Sequence, residues 1–214
     1  MNTPHTFQGQ ERPRERLLQH GPKVLTTPEL LAVVLGTGAP GRDAVQFSAE
    51  LLEQFSGLRN LLAADYSDLR RFKGMGNAKI CQLQAINELA GRSIEEELRQ
   101  SDTLNNSQLV KRYCINRLGH LAVEHCIAIY LDACYRLICC TEVSRGTLSR
   151  TTVYPREVAV EALKFNAAAV ILAHNHPSGS ATPSESDIAL TKHLHKALAP
   201  VSYTHLTLPT TPYV

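Results

Sequence analysis

The sequence has no long apolar run: its longest apolar stretches, such as Ala167 to Ala173, fall well short of the roughly 20 residues a membrane-spanning helix needs. It has no basic-then-apolar pattern at the N-terminus, so the expected location is the cytoplasm. The 6 cysteines, at 81, 114, 126, 134, 139 and 140, include no Cys-x-x-Cys pair and none of the spacings of a zinc knuckle or a disulfide-rich module. They read as reduced, mostly buried thiols. Net charge is also scarce, with a formal balance of +2. Residues 1–100 carry 12 basic against 12 acidic side chains and residues 101–214 carry 10 against 8, so neither half has the excess that by itself marks a nucleic-acid surface. Strand-like runs are missing from the first hundred residues.

What is present is enough for two small domains or one large one: 214 residues, 43% of them apolar. Thr27-Pro28-Glu29 opens a helical run through Leu30, Leu31, Val33, Val34 and Leu35 to Gly36, and later segments repeat that style of start and stop. A helical domain over 1–100 is expected. The polar, turn-rich segment Ser101 to Ser107 follows the acidic run Glu95-Glu96-Glu97 and marks the boundary. Beyond it the pattern becomes mixed α and β. Cys126–Leu131 and Leu137–Cys140 read as a hairpin of two buried strands around Asp132 to Arg136. Pro155 starts a helix with Val158, Ala162 and Phe165 at helical spacing and Asn166 as its stop. Ala168–Ala173, rich in β-formers, reads as a central strand that delivers His174 and His176 at its end.

Side chains two apart on an extended chain share a face, so His174 and His176 can aim both imidazoles at one point while Asn175 faces away. Pro177, Ser178 and Gly179 end the strand in a turn. Pro183-Ser184 then precedes a helix whose face is marked by Ile188, Thr191, Leu194 and Leu198, with Asp187 in its first turn. Two histidines and a carboxylate are the ligand count of a catalytic zinc, which keeps its fourth tetrahedral position for water. That water becomes acidic enough to attack near neutral pH. Hydrolysis further needs a general base and a donor to the oxyanion, and Ser184 is placed to be the donor. Two plainer readings stand beside this one. Ser184-x-x-Asp187 is also a helix capping box, and His-x-His after an apolar strand can be an ordinary polar loop.

The run from His174 to Asp187 matches the JAMM metalloprotease signature, His-x-His, seven residues, then Ser-x-x-Asp. With Val153-Tyr-Pro-Arg-Glu157 and Ala168 through His174-Asn-His-Pro-Ser-Gly179, it makes roughly residues 10–200 resemble the bacterial RadC, or UPF0758, family. The resemblance implies a JAB/MPN-type α/β domain over 101–200, a mixed sheet flanked by helices, with zinc on His174, His176 and Asp187 and Ser184 near the oxyanion. It also implies a glutamate on an early strand as general base. Glu124 fits that location best, Glu142 on the next strand is second, and either could be a plain surface carboxylate. The implied activity is a zinc-dependent hydrolase of the metallopeptidase type acting on an unidentified protein or peptide.

The same resemblance carries a second expectation. The helical half looks like a helix-hairpin-helix module, in which Phe72-Lys-Gly-Met-Gly-Asn-Ala-Lys79 supplies the hairpin, echoed by Leu35-Gly-Thr-Gly38. Amide groups around Gly74 and Gly76, with Lys73, Lys79, Arg70 and Arg71, could hold a DNA phosphate, making the alternative a DNA-associated repair protein with an idle metal site. Binding would be weak and salt-sensitive given the neutral balance, and a hairpin used only for packing is the plainer reading. His193 and His195 are expected to face solvent, since helix positions two apart diverge. After Pro200 the text departs from the family: Val201–Val214 is rich in Thr and Pro, resembles translated adapter sequence and shows no packing pattern. A non-native tail is expected there, with the natural C-terminus missing, a sheet edge exposed and His205 outside the ligand set.

Overall fold

The computed structural model describes residues 11–103, 105–121, 123–146, 153–177 and 182–198, and the backbone of 204–207. Local rules build its first helices. Thr26 donates its main-chain N–H to Glu29 in a capping box that opens α2 (Thr27–Leu35), and Gly36 ends that helix at φ 73°. Asp43 accepts from the amides of Val45 and Gln46 to open α3 (Ala44–Gln54). With α1 (Pro13–His20), α4 (Leu58–Ala63), α5 (Tyr66–Arg71) and the start of α6 (Asn77–Gln100), they enclose a core of Leu31, Leu35, Phe47, Leu51, Leu61, Leu69, Met75 and Ile80. The chain divides into two compact units, Met1–Glu88 and Leu89–Val214, and the division falls inside α6.

The second unit contains the end of α6, α7 (Ser107–Leu118), β1 (His125–Leu131), β2 (Leu137–Arg145), α8 (Pro155–Lys164), β3 (Ala169–His174), α9 (Glu185–Leu198) and β4 (Thr204–Thr207). The sheet order is β2-β1-β3-β4, with β1 antiparallel to both β2 and β3 and β4 parallel to β3. β1 is buried along its whole length because both faces are covered. Its alternation sorts the core into two layers. Ile127, Ile129 and Leu131 join Ile171 and Ala173 against α7, whereas Cys126, Ala128 and Tyr130 join Val170 and Leu172 against α8 and α9.

Four expectations need correcting. β2 runs to Arg145, not Cys140: it is an edge strand, so Thr141 to Arg145 can pair with β1 on one side while Thr141, Glu142 and Arg145 stay at least partly exposed. Ile188 does not lie on the inner face of α9; it is exposed, and Asp187, Leu194 and Leu198 are the buried positions. Of the six free cysteines only Cys114 and Cys126 are buried; Cys139 and Cys140 are partly exposed, and Cys81 and Cys134 are exposed. The tail carries a regular element, since the backbone of Thr204–Thr207 pairs with Ala169–Leu172 and covers the edge of β3 that was expected to be open. No helix among the described residues is long and apolar enough to cross a membrane.

Candidate metal centre

His174 is the last residue of β3, His176 follows two positions on, and Asp187 sits in the first turn of α9. The register pairs His174 with Cys126, which puts the His174 side chain on the α8/α9 layer of the sheet. Asp187 reaches it from above. His174 Nε2 and His176 Nε2 are 3.0 Å apart, His174 Nε2 is 3.4 Å from Asp187 Oδ1, and His176 Nε2 is 3.3 Å from Asp187 Oδ2. Ligand atoms at ordinary zinc bond lengths stand about 3.3 Å apart along the edge of a tetrahedron. One donor atom from each of the three residues lies within 4.8 Å of the others, so a single ion can be shared. Among the described residues, this is where three such groups converge.

Asp187 is 6% exposed, and its two oxygens are treated unequally. Oδ2 accepts from Ser184 N at 2.7 Å and Ser184 Oγ at 2.8 Å, while buried Oδ1 accepts no hydrogen bond from any described residue. A buried, unpaired acceptor facing an imidazole fits a missing cation better than a finished hydrogen-bond network. Burial raises the Asp187 carboxyl, but the two bonds from Ser184 and the neighbouring histidines outweigh it and hold the group below the usual aspartate value. Burial lowers His174 below the usual histidine value despite the pull of Asp187. Both shifts favour the forms that bind metal, a neutral imidazole and an ionised carboxylate.

The structure realises the capping box: Ser184 Oγ also accepts from Asp187 N at 3.2 Å. Ser184 has one hydroxyl proton, and it is directed to Asp187 Oδ2. Donation to an oxyanion therefore requires that hydroxyl to rotate away from the carboxylate. Ser178 and Gly179, read as part of the turn, lie outside the described residues.

Glu124 lies two positions beyond Cys126–His174, the last pair of the β1–β3 register. Cys126 faces His174 and His125 faces Asn175, so the same register sets Glu124 opposite His176, on the metal-site face. Glu124 is close enough to raise the His174 pKa. Glu142 goes elsewhere: it pairs with Ile127 of the opposite layer and its Oε2 lies 2.7 Å from His125 Nδ1. Neither Asn175's clamp nor the His125–Glu142 pair was foreseen. The signal for the first was Asn175 itself, a polar residue whose alternation turns it into the core.

Other candidates are placed as follows. His193 and His195 are exposed on α9, and nothing is described of the His205 side chain. In the hairpin between α5 and α6, Gly74 is at φ 104°, where a Cβ would meet Ala39 Cβ at 2.7 Å and Phe47 Cε2 at 2.8 Å. Lys79 donates to Gly38 O at 2.6 Å and lies 4.2 Å from the Phe47 ring centroid. Arg70 donates to Met75 O, and Arg71 bonds Asp68. Of this cluster, Lys79 ties the two Gly-x-Gly turns together, since it also reaches Gly74 O, whereas Arg70 and Arg71 bond within α5 and its hairpin.

The profile of the RadC-like JAB domain matches residues 104–206, and that of the UPF0758 N-terminal region matches residues 5–81. A UPF0758 protein of Bordetella bronchiseptica is 52% identical over 199 residues, spanning 93% of this chain and 88% of the relative. UPF0758 proteins of a Janthinobacterium species and of Ralstonia pickettii are 49% and 48% identical, covering 89% and 88% of this chain and 85% and 84% of their own.

Proposed function

The chain belongs to the UPF0758 family and carries its RadC-like JAB domain, and from that premise we propose that it is a zinc-dependent hydrolase of the JAMM metallopeptidase type. The observation that carries this reading is the convergence of His174, His176 and Asp187, with Asp187 Oδ1 facing the His174 ring and making no hydrogen bond among the described residues. A zinc ion held there would supply Lewis acidity and a water of lowered pKa. The remaining work falls to side chains of this chain. Glu124, opposite His176 on the same face, takes the proton of the attacking water and returns it to the leaving amine. Ser184 fixes Asp187 through Oδ2, and in rotating off it would donate to the oxyanion. The substrate is a protein or peptide, and the site of action is the cytoplasm.

The test pairs metal content with turnover. Zinc-loaded protein is assayed on a fluorogenic peptide library beside Glu124→Gln. Turnover that requires zinc and collapses in Glu124→Gln with zinc retained supports the reading; zinc-bound protein that hydrolyses nothing contradicts it.

A further inference from the structure

Asn175 stands between the two histidines in sequence but points the other way, into the layer formed by Ala173, Ile171 and α7. It is 3% exposed, and a buried amide there must be fully bonded. Among the described residues its side-chain partners are Leu121, Val123 and His125, at and just before the start of β1. Its Oδ1 accepts from His125 N at 2.8 Å, and its Nδ2 donates to Val123 O at 3.0 Å and Leu121 O at 3.1 Å. Meanwhile Asn175 N donates to His125 O at 3.3 Å. The side-chain oxygen takes the place of the main-chain carbonyl that would normally complete this antiparallel rung. The chain is thereby released to turn at Pro177 and deliver His176, while the ladder still gains its last bond.

The residue held between these bonds is Glu124, flanked by Val123 and His125. We infer that Asn175 is a positioning residue for the general base: by clamping Val123 and His125 to the end of β3, it sets Glu124 opposite His176 at the metal centre. This inference rests on the proposed hydrolase reading for its consequence, but the clamp itself is measurable without turnover. Asparagine suits the task because one short side chain offers an acceptor and two donors. Aspartate would keep the acceptor for His125 N and set a carboxylate against two carbonyl oxygens.

The experiment uses the full chain, zinc-loaded, as wild type, Asn175→Ala, Asn175→Asp, Glu124→Gln and the Asn175→Ala/Glu124→Gln double variant. Asn175→Ala is expected to lower kcat about 10- to 100-fold with KM within about twofold and zinc stoichiometry unchanged. In the double variant no further loss is expected beyond Glu124→Gln, because the clamp acts only through the base. A merely structural role would instead give losses that multiply. Independently, amide hydrogen exchange at His125 should be protected in wild type and in Asn175→Asp but fast in Asn175→Ala. If Asn175→Ala fails to fold, Asn175→Asp carries the kinetic test, with kcat lowered and the His125 amide still protected. Equal His125 protection in wild type and Asn175→Ala, or multiplicative losses in the double variant, would overturn the inference. Absence of turnover in zinc-loaded wild type would refute the hydrolase reading and leave the exchange result to judge the clamp.

Discussion

His174 and His176 hold their Nε2 atoms 3.0 Å apart in a partly buried site. Two imidazole nitrogens at that separation can share a proton, one ring donating and the other accepting, or can both turn a lone pair to one cation. The strand alternation that aims both rings to one side therefore builds half of a metal site before Asp187 arrives.

Removing one ring should abolish binding. His174→Ala is expected to lower zinc stoichiometry, read by plasma mass spectrometry after dialysis, from about one per chain to near zero. Ser184→Ala should keep zinc but lower stability by about 1 kcal/mol, since it removes a helix N-cap. Equal zinc loss in both variants would mean that Ser184, through its bonds to Asp187, is needed to hold the ion as much as His174 is.

Acid should act on the metal-free protein in one direction. Asp187, depressed in the folded state, contributes stability that is present above its unfolded pKa near 3.8 and is lost as pH falls through the folded value. His174 is also depressed, so below about 6.5 the unfolded chain binds protons that the folded chain resists, and stability falls as pH drops toward the folded value. Thermal unfolding of the apoprotein between pH 7 and 4 should show a declining midpoint, less steep in His174→Ala. A midpoint that rises on acidification over that range would contradict the His174 assignment; the Asp187 loss belongs below about pH 3.8.

The two glutamates separate cleanly. Glu124→Gln should lower kcat by about 100-fold or more with zinc retained, whereas Glu142→Gln, whose carboxylate serves His125 on the other layer, should change kcat by less than about threefold. Matching losses would mean that Glu142 reaches the site.

In the helical unit, Gly74→Ala should destabilise by about 1–3 kcal/mol, because its backbone is left-handed and its Cβ would strike Ala39 and Phe47. Gly76→Ala, with open space around its Cβ, should be nearly neutral in the same chemical denaturation. Lys79→Ala should also destabilise, since its ammonium bonds Gly38 O. If duplex DNA is bound, Lys73→Ala should weaken it without loss of stability, and binding should weaken further with salt.

Much of this site was legible because its chemistry is written in local spacing. Period-two alternation gives the His pair its common face, and Ser184-x-x-Asp187 gives the helix start. The phase of α9 was misread for a physical reason. Asp187 takes the inward position that an apolar residue would ordinarily hold, and Ile188, about 100° further round the helix, is turned outward. The extent of β2 was missed because an edge strand needs no hydrophobic alternation to pair on one side. Asn175's role depended on contacts 50 or more residues away, which no local pattern records.

The shared ion itself is tested most directly by zinc-edge X-ray absorption fine structure on the zinc-loaded full chain. The account predicts one zinc per chain with four nitrogen or oxygen neighbours at about 2.0–2.1 Å and the multiple scattering of two imidazoles. Zinc that shows no imidazole scattering, or a chain that retains no stoichiometric zinc, would contradict it.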